Sequence, residues 1–432
     1  MDDAWKIALA EYPGISTKDA AIQAAVFNKK YATSHRLPTI SMQLQSNYGT
    51  FNSTSGAFFP LPGFFNVNAT ALNSDDHHLA GSTFGSLTFN WNVFQFGRQR
   101  KFEQMAAINL DRSKKDMESY KIGLKTQVTR LYVDLLYKKS ALKWTSENAA
   151  RVKEILEIAK SLADAGLKPG ADTSLVASSF FQLAANEEDW KGKEIASKDQ
   201  LGAYLKDLDT DFELNIQPFL SGAGSYIGLS TSDSLKNHPY LTTLATDVQY
   251  KKAQSNMYQQ SAYPSLSILG GGSVRGTSIN HAGFNTGKWQ DSFNNGAGNY
   301  LFGIGLVWNI SGIHQNNLQR QQFRQEAIAA QSIYDKKALN LRALRKANQA
   351  QLIQKTKQLA KTTIGIAKAN EAFQLYLTRY ETGVINLTEL LQIQHLLQQA
   401  EKAHLDASHA FWLKVIEGTE LSGNFSHLSQ IF

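Results

Sequence analysis

Two periodicities divide this chain. Four short stretches alternate apolar and polar residues with a period of two, as half-buried strands do. Over 38–50, Ile40, Met42 and Leu44 share one face, against Ser41, Gln43, Gln45 and Asn47. Over 83–96, Leu87, Phe89, Trp91 and Val93 oppose Ser86, Thr88, Asn90 and Asn92. Over 264–276, Leu266, Ile268 and Val274 oppose Ser265, Ser267 and Ser273, with Gly270, Gly271 and Gly272 between them. Over 300–310, Phe302, Ile304, Leu306, Trp308 and Ile310 oppose Gly303, Gly305 and Asn309. The polar faces named here carry no charge, which suits a barrel with lipid outside and a wet lumen. Aromatic residues crowd the strand ends (Tyr48, Phe51, Phe94, Phe96, Tyr300, Phe302) as in an interfacial girdle. A β-sandwich with an aromatic core fits the same four stretches. The polar loops 52–82 and 279–299 join the strands in pairs. Four strands cannot close a barrel with a lumen, so a barrel requires several chains.

The remainder steps its apolar residues by threes and fours. Leu124, Val128, Leu131 and Leu135, then Ile155, Ile158 and Leu162, follow coiled-coil spacing over 98–164, where the one glycine is Gly123 and there is no proline. At 1.5 Å per residue such a helix reaches roughly 100 Å. A second long helix is expected over 314–381, interrupted only at Gly365. Each ends at a glycine turn and returns as another helix, over 171–207 and 386–417, giving two long antiparallel hairpins. Shorter helices are expected before each strand pair, over 4–35 and 239–262. The segments 208–234 and 418–432 read as irregular.

These elements occur twice in the same order. Tyr12-Pro13 returns as His238-Pro239, and Leu37-Pro38-Thr39-Ile40-Ser41 returns as Tyr263-Pro264-Ser265-Leu266-Ser267, each 226 positions on. Trp91-Asn92 returns as Trp308-Asn309, Ala165-Gly166 as Thr382-Gly383, and Asp172 as Glu389, each 217 positions on. The chain therefore divides into a first repeat, 1–207, with its tip at 165–172; a linker, 208–234; a second repeat, 235–417, with its tip at 382–389; and a tail, 418–432.

Composition narrows the chemistry. The 432 residues hold 8 prolines and no cysteine, which excludes disulfides, thiolate metal sites and cysteine nucleophiles. The net charge of +7 is spread along helical segments such as Lys114-Lys115 and Lys336-Lys337, which argues against a nucleic-acid partner. No run approaches the roughly 18 apolar residues of a spanning helix, so a membrane contact must be made by a barrel. The chain starts Met1-Asp2-Asp3 without a leader-like segment, which fits either a cytosolic protein or one whose leader has been removed. No phosphate-binding loop, nucleophile elbow or zinc helix is present, and no enzyme or cofactor is expected. Asp75-Asp76-His77-His78 lacks metal-ligand spacing. His404 and His409 read as packed or solvated helix residues. At the tips, Gly166, Gly170 and Gly383 make the turns. Asp172 and Glu389 stand where the return helices begin; both fit capping, with Asn386 and Glu389 as a capping box, and a symmetric oligomer multiplies them into a charged ring.

The order of these features resembles the TolC-like outer membrane efflux family over the whole chain. The resemblance rests on the repeat, on Asn237-His238-Pro239, on Tyr263 to Ser267 entering a strand, and on a strand ending Trp-Asn before a long helix. Most specific is R-Y-x-x-G-x-x-N-L-T-E-L-L from Arg379 to Leu391. The resemblance implies a homotrimer in which each chain gives four strands to one twelve-stranded barrel in outer-membrane lipid. It implies a coiled-coil tunnel in the periplasm, closed at the hairpin tips. It also implies a passive exit duct in a tripartite efflux or type I secretion system, working with a periplasmic adaptor and an inner-membrane pump. It pairs Tyr380 with Asp172 as a gating hydrogen bond, places Glu389 in an acidic constriction, and puts Gln392 where a second acid stands and Ile385 where some members carry a gating arginine. The alternative is a soluble coiled-coil scaffold with a small β-domain. Neither reading names a cargo.

Overall fold

A computed structural model describes residues 1–50, 79–205, 214–221, 235–280, 282, 284–429 and 431. Phe51, most of the loop 52–82, the Asp75–His78 cluster and most of the linker 208–234 lie outside the described residues. The described elements are α1 (Asp2–Glu11), α2 (Pro13–Ser34), β1 (Thr39–Thr50), β2 (Leu79–Phe94), α3 (Arg98–Asp164), α4 (Gly170–Leu205), α5 (Gln217–Ser221), α6 (Pro239–Gln260), β3 (Ser265–Thr277), β4 (Asn295–Val307), α7 (Ile310–Glu381), α8 (Leu387–Ser422) and α9 (Ser426–Ser429). Among the described residues no helix is long and apolar enough to cross a membrane. The chain forms two units. One holds residues 1–25, 109–249 and 328–432; the other holds 26–108 and 250–327.

The second unit contains a single antiparallel sheet in the order β1-β2-β3-β4. Its register places Ile40, Met42 and Leu44 opposite Phe89, Leu87 and Gly85. Across β3, Gly270 faces Phe302 and Ile268 faces Ile304, so one face of the sheet carries the apolar residues of all four strands. A Cβ at Gly270 would come within 2.6 Å of the Phe302 ring, so the glycine makes room for that ring to lie across β3. The repeat is visible in hydrogen bonds. Trp91 Nε1 donates to the Arg36 carbonyl at 2.8 Å, and Trp308 Nε1 donates to the Ala262 carbonyl at 3.1 Å. Donors and acceptors are related by the offsets read in the sequence.

The first unit is helical and has two main buried clusters. In one, Trp5, Val128, Leu136, Phe411, Trp412 and Ile416 pack together with Phe219 of α5. Trp412 Nε1 donates to the Phe219 carbonyl at 2.9 Å, and Trp5 Nε1 to Thr129 Oγ1 at 3.0 Å. In the other, Ile155, Val176, Phe373, Tyr380, Leu387, Leu390 and Leu397 join the four helices near the tips. Each such side chain contributes about 1.5–3 kcal/mol when fully buried. Where the clusters adjoin, a polar group interrupts them. Arg151 donates to both Glu401 carboxylate oxygens at 2.7 and 2.8 Å and to Asn148 Oδ1 at 2.8 Å. Asn148 Nδ2 donates to Glu401 Oε2 at 2.6 Å, and Gln394 Nε2 to Asn148 Oδ1 at 2.9 Å.

Several boundaries differ from the sequence expectation. The helix expected over 4–35 is two helices. Pro13 has no N–H and its ring disfavours a helical residue before it, so Tyr12 is extended at φ −66, ψ 126. Strand β2 begins at Leu79 and β4 at Asn295, because residues 79–82 pair with β1 and residues 295–299 pair with β3 along the ladders. Strand β4 stops at Val307, leaving Trp308 and Ile310 beyond it: Asn309 Oδ1 accepts from the Gly312 N–H at 2.9 Å and starts α7 at Ile310, not 314. Gly365 does not interrupt α7; one interior glycine costs about 1 kcal/mol against alanine, which 72 residues absorb. The tail is not irregular from 418. Helix α8 continues to Ser422 and is capped by Gly423 in the left-handed region, φ 73.

Candidate functional site at the hairpin tips

Both tips are built by the same backbone device. At the first, Gly166 turns left-handed at φ 71 and the Leu167 N–H reaches back to the Leu162 carbonyl at 2.9 Å. At the second, Gly383 has φ 75 and the Val384 N–H reaches the Arg379 carbonyl, also at 2.9 Å. This satisfies helix-end carbonyls that otherwise lack donors, and glycine is the residue that adopts the turn without strain. Gly170 has a different role: it is the first residue of α4 and has no positive φ.

The return helices start unequally. Asn386 caps α8: its Oδ1 accepts from the Glu389 N–H at 2.9 Å, and its Nδ2 donates to Glu389 Oε1 at 2.7 Å. Glu389 is thus tied into a reciprocal cap. The matching place in the first repeat is Pro169, whose side chain can accept nothing. Its carbonyl takes the Asp172 N–H at 3.1 Å, and the Asp172 carboxylate accepts no hydrogen bond among the described residues. The two equivalent acids therefore differ: one is engaged in capping, the other is unengaged. Gln392 is exposed on α8.

Tyr380 lies in the tip core, wholly buried. Its hydroxyl has no hydrogen-bond partner among the described residues, so no bond joins it to Asp172 within the chain. Burial first, and then the nearby Asp172 charge, hold its phenol above the ordinary value. It therefore remains a protonated donor at neutral pH. Sequence reasoning missed the residue that ties the tips together. Lys168 Nζ lies 5.8 Å from the Tyr380 ring centroid, within cation–π range, and donates to the Ile385 carbonyl at 3.3 Å. The signal was available: Lys168 and Ile385 occupy the same place in the two repeats, 217 residues apart.

The sequence matches the outer membrane efflux protein family over residues 5–205 and 231–411, through both repeats and both tips. The chain belongs to that family. Membership places it in the bacterial outer membrane, in a family of channels rather than enzymes. Among solved structures, the outer-membrane channel OprN shares 14% identity at a TM-score of 0.74, over 98% of this chain and 89% of that one. The CmeC outer membrane channel of Campylobacter jejuni shares 13% identity at 0.74, over 98% and 85%. The MtrE outer membrane channel of Neisseria gonorrhoeae, in its open state, shares 16% identity at 0.69, over 98% and 88%. No curated protein matches the chain by sequence.

Proposed function

We propose that this protein is a passive exit duct in which three chains pool their sheets into one closed barrel and their helical hairpins prolong its bore. The observation that carries this reading is the sheet itself. Strands β1 and β4 are its edges, with 12 and 13 residues, and each leaves a row of backbone groups without a partner strand among the described residues. Ile40, Met42, Leu44, Leu87, Ile304 and Leu306 stand exposed on one face. A long edge beside an exposed apolar face is an aggregation template in water. In lipid the same strands are satisfied once neighbouring chains close the ring. Exposed apolar residues on α7 (Ile328, Ile333, Leu339, Ile353) and on α4 (Phe181, Ile195) support contacts between copies along the helices.

The tips serve as the gate. Among the described residues, Tyr380 is a buried donor without an acceptor, and Asp172 is the neighbouring acid whose carboxylate accepts no hydrogen bond. Glu389 and Gln392 line the constriction on α8, one engaged in its cap and the other neutral. A periplasmic adaptor and an inner-membrane pump bring the cargo and supply the energy, in an efflux or secretion assembly. Native mass measurement of detergent-extracted protein should give a trimer, and planar bilayers should show single channels. A monomer that stays in solution without detergent would overturn this reading.

A further inference from the structure

Residues 284–294, between β3 and β4, form a seated flap. Its 3-10 turn, Trp289–Phe293, lies on the sheet and is bonded to both strands of the first hairpin. Trp289 Nε1 donates to Ser46 Oγ at 2.8 Å, and Tyr48 Oη donates to the Gly287 carbonyl at 2.7 Å. Ser292 Oγ meets Thr83 Oγ1 at 2.9 Å, and Asn285 Nδ2 donates to the Leu79 carbonyl at 3.0 Å. The seat is cut from glycine. A Cβ at Gly276 would stand 1.9 Å from the Ser292 carbonyl oxygen, and one at Gly81 would stand 3.1 Å from Trp289 Cα.

The register decides which face the flap covers. Ser46 pairs with Thr83 and Tyr48 with Gly81, and Thr83 pairs with Gly276. Counting by twos, these residues share a face with Met42, Leu44 and Leu87 (side chains alternate along a strand). The flap therefore sits at one end of the apolar face and leaves the opposite face of Gln43, Gln45 and Asn47 uncovered. Trp289 and Phe293 remain 44% and 57% exposed although the flap is seated, and their rings meet edge to face at 5.2 Å. Beside them, Lys288 is exposed and forms no ion pair among the described residues, whereas the Asp291 carboxylate accepts from Asn294 Nδ2 at 3.4 Å.

We propose that this flap is a lipid-binding element, with Trp289 and Phe293 at the headgroup–acyl boundary and Lys288 against a lipid phosphate. The proposal rests on the barrel reading, in which the apolar face meets lipid. Tryptophan favours that boundary, and a single exposed lysine is matched there by anionic headgroups. A flap seated on the opposite face would have occupied the bore; this one continues the apolar band outward and ends it.

The chain has no cysteine, so a single introduced cysteine carries a nitroxide at one place only. Labels at Gln290→Cys on the flap, Leu44→Cys on the band and Gln43→Cys on the opposite face are compared in vesicles of phosphatidylethanolamine and phosphatidylglycerol. Collision with oxygen and with a water-soluble nickel chelate reads depth. The band label should favour oxygen most. The flap label should favour it several-fold more than the label at 43. Lys288→Glu should raise nickel collision at 290 severalfold; no change overturns the phosphate contact. A flap label as wet as the label at 43, with the band label in lipid, overturns the flap proposal and leaves the barrel standing. A wet band label overturns the barrel reading itself.

Discussion

Replacing Arg151 by alanine should open the helical unit at its polar layer. The guanidinium supplies three of the hydrogen bonds there, two of them to a carboxylate whose residue is 8% exposed. Without it, Glu401 keeps, among the described residues, the Asn148 amide at 2.6 Å. Stranding a buried charge costs about 3–5 kcal/mol. The Arg151 and Glu401 side chains are 21% and 10% exposed, so some water reaches the pair and about 3 kcal/mol is the appropriate end of that range. At 1.4 kcal/mol per tenfold change, amide exchange through local opening should quicken roughly a hundredfold. Hydrogen exchange read by mass spectrometry on peptides from 144–155 and 394–404 measures this directly. The double replacement Arg151→Met with Glu401→Leu removes both charges and fills their volume, so it should recover most of the loss. A single variant within about 0.5 kcal/mol of the parent, as an exposed pair would give, refutes the argument. So does a double variant as weak as the single.

Three further outcomes are expected. Asn386→Ala removes the cap of α8 and should cost about 1 kcal/mol, read as faster exchange at 387–390, whereas Glu389→Ala should also weaken block by divalent cations applied at the periplasmic end. Burial holds the His404 imidazole below its ordinary 6.5, against the opposing pull of the Leu220 backbone, so the unfolded chain takes up the proton first. The stability this histidine contributes is therefore complete above about pH 6.5 and falls as the pH drops below it; the guanidinium midpoint should fall between pH 7.5 and 5.5, and fall less in His404→Gln. Finally, Tyr380→Phe combined with Asp172→Ala should raise single-channel conductance, and unchanged conductance would remove both residues from the gate.

What was legible in the sequence was whatever repeats or alternates. The four strands, the two hairpins and the left-handed glycines 166 and 383 follow from local spacing and from chemistry that acts within a few residues. The features that escaped depend on partners far away in the chain. Phe219 sits in a five-residue helix too short to show a period, and the cluster around Trp412 shows it to be a core residue. Arg151 and Glu401 look like any solvated helical charges until α3 and α8 bring them together. The flap read as an ordinary polar loop because its seat is recorded in Gly81 and Gly276, whose meaning depends on what lies above them. At the tips the acids were found, but their inequality was hidden in the exchange of asparagine for proline at 386 and 169.

The bond from Lys168 to Ile385 has a consequence for how such a chain can arise. The two repeats follow one another along the sheet in the order β1-β2-β3-β4, so they meet head to tail, and each position in one repeat has an equivalent in the next. Had the halves been identical polypeptides, position 385 would also be a lysine, and a second cation would stand at the tip beside the carbonyl that Lys168 reaches. Fusion into one polypeptide frees the two positions to diverge, so that a cation in one half can rest on the neutral backbone of the other.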